Sequence, residues 1–308
     1  MELRQLRYFV RIVELGSIGA AARDLQLVPS ALSQQISRLE SELSTRLLQR
    51  STTGIQATDA GVAFYRQAQL ALRHTDDAVR AAQQARLSGH VSLGMSPSES
   101  AVLALPYLKA MRERYPDVRL RLVESLSTNL AAMLDSRQLD LAILFDSRAA
   151  RRPGAIPLVE ERLFLIGLTS MPELQGLRGS RVEIRQLSNV PLVLGSQGIR
   201  GAVDAAFDQA GCKPRIVLEI DGMMVLLDAV RAGIGATIQP GASTLRLPLD
   251  VVARIEIADP GASRLNMLVS LNEEELSPAV LAARIVLRDI TRELVLTGQW
   301  PGASLHKT

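Results

Sequence analysis

The chain has 308 residues, 47% of them hydrophobic and 22% charged, enough for two or three packed units with real cores; global disorder is excluded. The net charge of +3 is uneven: residues 1–90 hold eleven Arg against eight acidic residues, and the remainder holds 24 of each sign, so the excess sits where a polyanionic partner would be met. A single cysteine, Cys212, excludes an internal disulfide framework, and the scattered His74, His90 and His306 lack metal-ligand spacing.

Arg7, Arg11 and Glu14 interrupt the N-terminal segment, so it does not read as a signal peptide. No uncharged run reaches the roughly 18 apolar residues of a membrane span. The expectation is a reduced cytoplasmic protein with no membrane partner.

In chain order, Leu3, Leu6, Phe9, Val10 and Val13 share one helical face, Gly16 ends that helix, and Ser17 caps a second over Ile18–Leu25 with three consecutive alanines. Pro29 suits the first position of a third helix, whose inward stripe is Leu32, Ile36, Leu39 and Leu43. Its other face carries Ser30, Ser33, Gln34, Ser37 and Arg38. A solvated helix usually shows Glu/Lys pairs there; Ser, Gln and Arg instead suit base edges and phosphates. Short extended pieces around Thr53-Gly54 form a hairpin, or wing, with Arg50 beside it, and Thr58 caps the next helix. Phe64, Ala68, Ala71, Thr75, Ala78, Ala82 and Ala85 then repeat at 4-3-4-3-4-3, a heptad seam on a helix of about 40 Å. Two readings stand: a partner helix covers this seam, or the helix lies on its own domain.

From His90 onward short apolar runs alternate with helical stretches. Strands are expected at His90–Met95, Val118–Val123, Leu139–Phe145, Leu163–Leu168, Pro191–Leu194, Ile216–Ile220, Gly235–Ile238 and Leu265–Leu271. Helices are expected at Ala101–Arg114, Asn129–Ser136, Gly201–Gln209 and Met223–Ala232. Such alternation predicts α/β architecture with largely parallel sheets.

The spacing of Phe9, Gly16-Ser17, Ala21-Ala22, Leu25, Pro29-Ser30-Ala31-Leu32-Ser33, Ile36, Leu39-Glu40, Leu43, Leu47-Leu48, Arg50, Thr58 and Gly61 resembles the DNA-binding domain of LysR-type transcriptional regulators. Three positions depart from the usual family pattern. Leu27-Val28 replaces Ser-Gln before Pro29, so the apolar Val28 stands where the family places a polar N-terminal DNA contact. Ser44 replaces a glycine and Leu48 a phenylalanine, both read as packing substitutions.

The resemblance implies a sequence-specific bacterial regulator, not an enzyme. It would have an all-α winged helix-turn-helix over 1–58, a linker and dimerisation helix over 59–89, and an effector-binding domain over 90–308. That last domain would be a two-lobed α/β fold like periplasmic binding proteins. Lobe I would span about 90–161 and 266–308, and lobe II about 162–265, with hinges near Glu161–Leu163 and Arg264–Leu268. DNA contact is carried over to Pro29, Ser30, Ser33, Gln34, Arg38 and Arg50, with Gln35 and Thr53 as weaker candidates. The implied partners are a dyad site in double-stranded DNA, a small effector and a second copy in a homodimer or homotetramer, with contact to RNA polymerase left open.

Ligands of such folds sit at the carboxyl ends of strands, near helix N-termini. The loops after three strands supply Ser96 and Ser98, Ser127 and Thr128, and Ser196 and Arg200, a set suited to a small anionic effector. The glycines at 195, 198 and 201 match neither dinucleotide nor P-loop spacing, and no acid/base or nucleophilic cluster is visible, so neither catalytic site, metal nor cofactor is expected. Two alternatives remain: an effector-independent DNA-binding regulator, and a cytoplasmic solute-binding α/β protein.

Overall fold

The computed structural model describes residues 1–51, 54–83, 87–145, 149–152, 154–175, 177, 181–247, 250–271 and 276–306; for residues 50, 51, 77 and 80–83 it describes the backbone alone. The chain divides into two compact units, Met1–Ser88 and Gly89–Thr308.

In the first unit α1 (Leu3–Leu15), α2 (Ile18–Asp24) and α3 (Pro29–Glu42) bury Leu6, Phe9, Ile12, Ala21, Ala22, Leu32, Ile36 and Leu39 in one core. Their ends are set locally. Gly16, at φ +61°, donates its N–H to the Ile12 carbonyl at 2.9 Å, and Ser17 Oγ accepts the Ala20 N–H at 3.3 Å. Pro29 opens α3, where a missing N–H removes no helical hydrogen bond. Ser44, just past α3, holds φ +50°. The family's glycine at this position is therefore a backbone requirement, and reading Ser44 as a packing change was incorrect.

The strands β1 (Leu48–Ser51) and β2 (Gly54–Ala57) pair antiparallel as the wing. Ile55 N–H donates to the Gly16 carbonyl at 2.8 Å, docking the hairpin on the α1–α2 turn. Thr58 Oγ1 accepts the Gly61 N–H at 3.0 Å and starts α4 (Asp59–Gln83). A Cβ on Gly61 would lie 2.0 Å from the Leu47 carbonyl oxygen, so this crossing of α4 over the wing requires glycine.

The heptad seam is only partly available to a partner. Phe64 meets Phe9 edge-on at 5.2 Å between ring centroids, and Ala68 and Ala71 pack into the same core. The first half of the seam therefore covers its own domain, because α1 leaves an apolar face that α4 fills. Thr75 and Ala78 lie beyond that contact; the Ala82 side chain and Ala85 are outside the described residues.

The second unit contains β3 (Gly89–Met95), α5 (Pro97–Glu99), a π-helical turn over Ser100–Ala104, α6 (Leu105–Arg114), β4 (Val118–Glu124), α7 (Ser127–Asp135), β5 (Leu141–Leu144) and β6 (Ile156–Leu168). There follow α8 (Pro172–Gln175), β7 (Arg181–Val182), β8 (Pro191–Leu194), α9 (Arg200–Gln209), β9 (Arg215–Glu219) and α10 (Met223–Arg231). β10 (Thr237–Pro240), β11 (Val252–Ile257), β12 (Ser263–Ser270), α11 (Pro278–Leu296) and β13 (Ala303–Ser304) complete it.

The long strand β6 serves two lobes. It pairs with β12 from Ile156 to Arg162, then with β10 and β11 from Leu163 to Leu168. On one side β3 runs parallel to β4 and β5, and β12 antiparallel to β5; on the other, β7 is parallel to β11. β8 and β9 form a small parallel sheet. The sheets are mixed rather than largely parallel, because the two strands that cross between lobes run against their neighbours. The expected periodicity also missed β11 and α11 and began β6 seven residues late.

Candidate functional sites

The polar face of α3 lies opposite a stripe in which Leu32, Ile36 and Leu39 are buried and Leu43 is half-buried. Pro29, Ser30, Gln34 and Arg38 are exposed, while Ser33 and Gln35 are half-buried. Gln35 Oε1 accepts a long hydrogen bond, 3.4 Å, from Gln5 Nε2, which ties it to α1. Arg38 forms no ion pair among the described residues. Arg4, Arg7 and Arg11 differ: they pair with Glu2, with Asp76, and with Glu14 and Asp24 respectively. An unpaired guanidinium on a face of hydroxyls and amides can form charge-assisted bonds to phosphate or guanine. Val28, the N-cap, is 65% exposed and offers no side-chain cap. Arg50 stands opposite Ile55 in the wing, but its side chain and Thr53 lie outside the described residues.

In the second unit a narrow cavity of about 50 Å³ lies between the lobes, with Ser96, Ser98, Phe145, Gln197, Asp221 and Arg264 in its lining. Ser96 caps the short helix α5 that follows β3 and Ser98 lies within it, and their hydroxyls are 3.1 Å apart. The other residues expected here sit differently. Ser127 is buried and accepts the Phe145 N–H at 3.3 Å. Thr128 Oγ1 donates to Gln197 Oε1 at 3.5 Å. Ser196 donates its N–H and hydroxyl to Asp221 Oδ1 at 2.7 and 2.9 Å. Arg200 pairs with Asp204 and Glu219 at 2.9 and 2.6 Å, and Glu219 first, then Asp204, hold its guanidinium above the ordinary value. Neither Ser196 nor Arg200 borders the cavity.

Sequence reasoning missed the polar core beneath it. Arg264, on β12, donates through Nε and Nη2 to Glu161 Oε2 at 2.8 and 2.6 Å, and through Nη2 to Ser98 Oγ at 2.8 Å. Asn266 Nδ2 and Trp300 Nε1 also donate to Glu161, at 2.7 and 2.8 Å. Glu99 Oε1 lies 3.6 Å from Arg264 Nη2, while its Oε2 accepts the Ser96 N–H at 2.7 Å. Burial pushes the Glu99 carboxyl up from 4.5 to about 7; Glu161 adds to this, against the opposing pull of Arg264 and Ser96. The Phe145 ring covers the Arg264 guanidinium at 4.4 Å. The one sequence signal was Arg264 and Asn266 two apart on an apolar strand, hence on one face.

Cys212 is half-buried against the lobe II core. Among the described residues no group of His, Cys, Asp or Glu is placed to hold a metal, and no helix is long and apolar enough to cross a membrane.

Residues 3–62 match the sequence profile of the bacterial regulatory helix-turn-helix protein, lysR family, and residues 84–292 match the LysR substrate binding domain. The chain is 31% identical to the nitrogen assimilation regulatory protein nac of Escherichia coli, over 97% of this chain and 99% of that one. It is 34% identical to the nac protein of Klebsiella aerogenes over 78% of each. Its fold is similar to that of full-length CbnR solved with its target DNA, at a TM-score of 0.63, 24% identity, 94% of this chain and 100% of that one. The nac relatives are regulatory proteins, and BudR of Raoultella terrigena, 32% identical over 79% of this chain and 86% of that one, is an HTH-type transcriptional regulator; these relatives are regulators, not enzymes. The chain thus belongs to the LysR family of transcriptional regulators, with a helix-turn-helix head and a substrate-binding domain.

Proposed function

We propose that the α3 face reads a dyad operator in the major groove, and that a small molecule held between the lobes controls this binding. Arg38, without an ion pair among the described residues and set among exposed Ser30, Gln34 and Pro29, is the observation that supports the reading most strongly. Ser33 and Gln35 contribute from the edges of the face, and Arg50 and Thr53, outside the described side chains, are carried as further contacts to the DNA backbone or minor groove. CbnR, of similar fold, was solved on its target DNA, which supports the same use of this head.

Two copies meet through the far half of α4 and place their heads on half-sites about one helical turn apart. The functional state is an even-numbered homo-oligomer, dimer or tetramer, acting in the cytoplasm and meeting RNA polymerase at the promoter. Effector contact falls to Ser96, Ser98 and Arg264. Arg200, expected from sequence for that role, is already held by two carboxylates of its own lobe. A ligand regulates only by binding one arrangement of the lobes more tightly than the other.

Selection from randomised duplexes, followed by light scattering of the complex, tests this. The expected result is an inverted repeat bound by an even number of chains. A single half-site bound by one chain would contradict it.

A further inference from the structure

We propose that the cavity between the lobes selects a small zwitterion of the amino-acid class, with its carboxylate on Arg264 and its ammonium group on Asp221. This rests on the effector reading above and makes its ligand specific.

The charges in and beneath the lining limit what the cavity can hold. Arg264 is the one cation in the lining among the described residues, and Glu161 already balances it. Asp221, also in the lining, adds a second carboxylate to that of Glu161. The site is therefore net negative even with Glu99 neutral. A simple anion would add a second uncompensated charge to a poorly solvated space.

A ligand without acceptors fails for a different reason. Arg264 is 4% exposed, and its Nη1 has no hydrogen-bond partner among the described residues, while Nε and Nη2 are engaged. An arginine that lines a cavity with one terminal nitrogen unengaged favours an acceptor in whatever fills it. Phe145 covers the guanidinium face, so the acceptor must arrive at the edge. An acceptor at one end and a positive charge at the other describe a zwitterion. Asp221 accepts bonds from Ser196 and keeps lone pairs for an ammonium group. Leu126, Ile199, Ile220 and Met223 line the rest, suited to a short aliphatic or hydroxylated side chain.

Isothermal titration of the full chain with L-alanine, L-serine and L-valine, each beside its deamino acid and its amine, tests the assignment. The amino acid is expected to bind about tenfold or more tightly than either truncated analogue, the scale of one charge-assisted contact. Asp221→Asn, whose amide oxygen can still accept the Ser196 N–H, is expected to abolish the preference over the deamino acid in a chain that still melts cooperatively. Deamino acids binding as tightly as amino acids, or a preference that survives Asp221→Asn, would overturn the proposal. If no amino acid binds, the proposal is also overturned. In that case a polyol or dicarboxylate that does bind in the same titration preserves the effector reading, whereas silence from every compound removes both.

Discussion

Arg264 stands directly opposite Glu161 in the antiparallel pairing of β12 with β6, and their side chains meet at 2.6 Å where both strands pass between the lobes. The register, not sequence proximity, makes this contact: a slip of one residue would turn both side chains to the other face of the sheet. Asn266 and Trp300 complete the shell around Glu161. Removing one member leaves a buried charge without its partner. Arg264→Met is expected to lower stability by about 3–5 kcal/mol, and the double change with Glu161→Met to lose less than the sum of the two single changes, because it removes both charges but leaves the Asn266 and Trp300 donors without their acceptor. Urea denaturation of the two single variants and the double variant measures the coupling; purely additive losses would show that the pair is not energetically linked.

Glu40 ties the recognition helix to the wing, accepting the Leu47 and Leu48 N–H groups at 2.7 and 2.9 Å through one oxygen. Glu40→Ala leaves both donors unpaired, at a cost of about 1–3 kcal/mol. It is expected to weaken DNA binding although Glu40 need not touch DNA, because the wing loses its seat. Glu40→Gln keeps an acceptor and is expected to fall between. Fluorescence anisotropy on operator DNA, beside urea melts, checks the order.

Ser44 occupies the left-handed region at φ +50°, which costs a residue with a Cβ about 1–2 kcal/mol. Ser44→Gly relieves this and is offset in part by the greater freedom of glycine in the unfolded chain. The expected net is a stabilisation of a few tenths to about 1 kcal/mol, read as a higher urea midpoint with unchanged DNA affinity. A lower midpoint would show that Ser44 contributes more than its backbone conformation costs.

Glu99 sets a pH dependence. Its carboxyl is raised in the folded state to about 7, so the fold binds this proton more tightly than the unfolded chain does. The resulting stabilisation is full below the unfolded value near 4.5 and is lost as pH rises through 7. Glu99→Gln holds the neutral form at every pH and can still accept the Ser96 N–H. Its stability relative to wild type is therefore expected to rise between pH 5 and 8, by an amount on the order of 3 kcal/mol. Denaturant melts at pH 5, 6, 7 and 8 measure this; parallel curves would contradict it.

The head was legible in the sequence because its boundaries are written locally. Gly16 needs a positive φ, Ser17 and Thr58 accept helix N–H groups, and Pro29 has none to lose. The second unit was legible where apolar runs are short and separated. It failed at α11, although Val280, Ala283, Leu287, Ile290 and Leu294 recur at helical spacing behind the Ser277 cap. The binding cavity was hardest. Ser96 and Ser98 follow a strand and could be named, but Arg264 and Glu161 lie 103 residues apart and meet only through strand register. The pairing of Arg200 with Glu219, which comes from another strand, was likewise not legible in local spacing.

The most direct test of the account is a nuclease footprint of the full chain on the DNA upstream of its own gene, at low and moderate salt, beside Arg38→Ala of equal folding. The expected result is a protected inverted repeat that fades as salt rises, because phosphate contacts release counterions. Arg38→Ala is expected to lose about 1–3 kcal/mol of binding, with unchanged melting. Protection by Arg38→Ala equal to wild type at both salts would contradict the central claim that the α3 face reads the DNA.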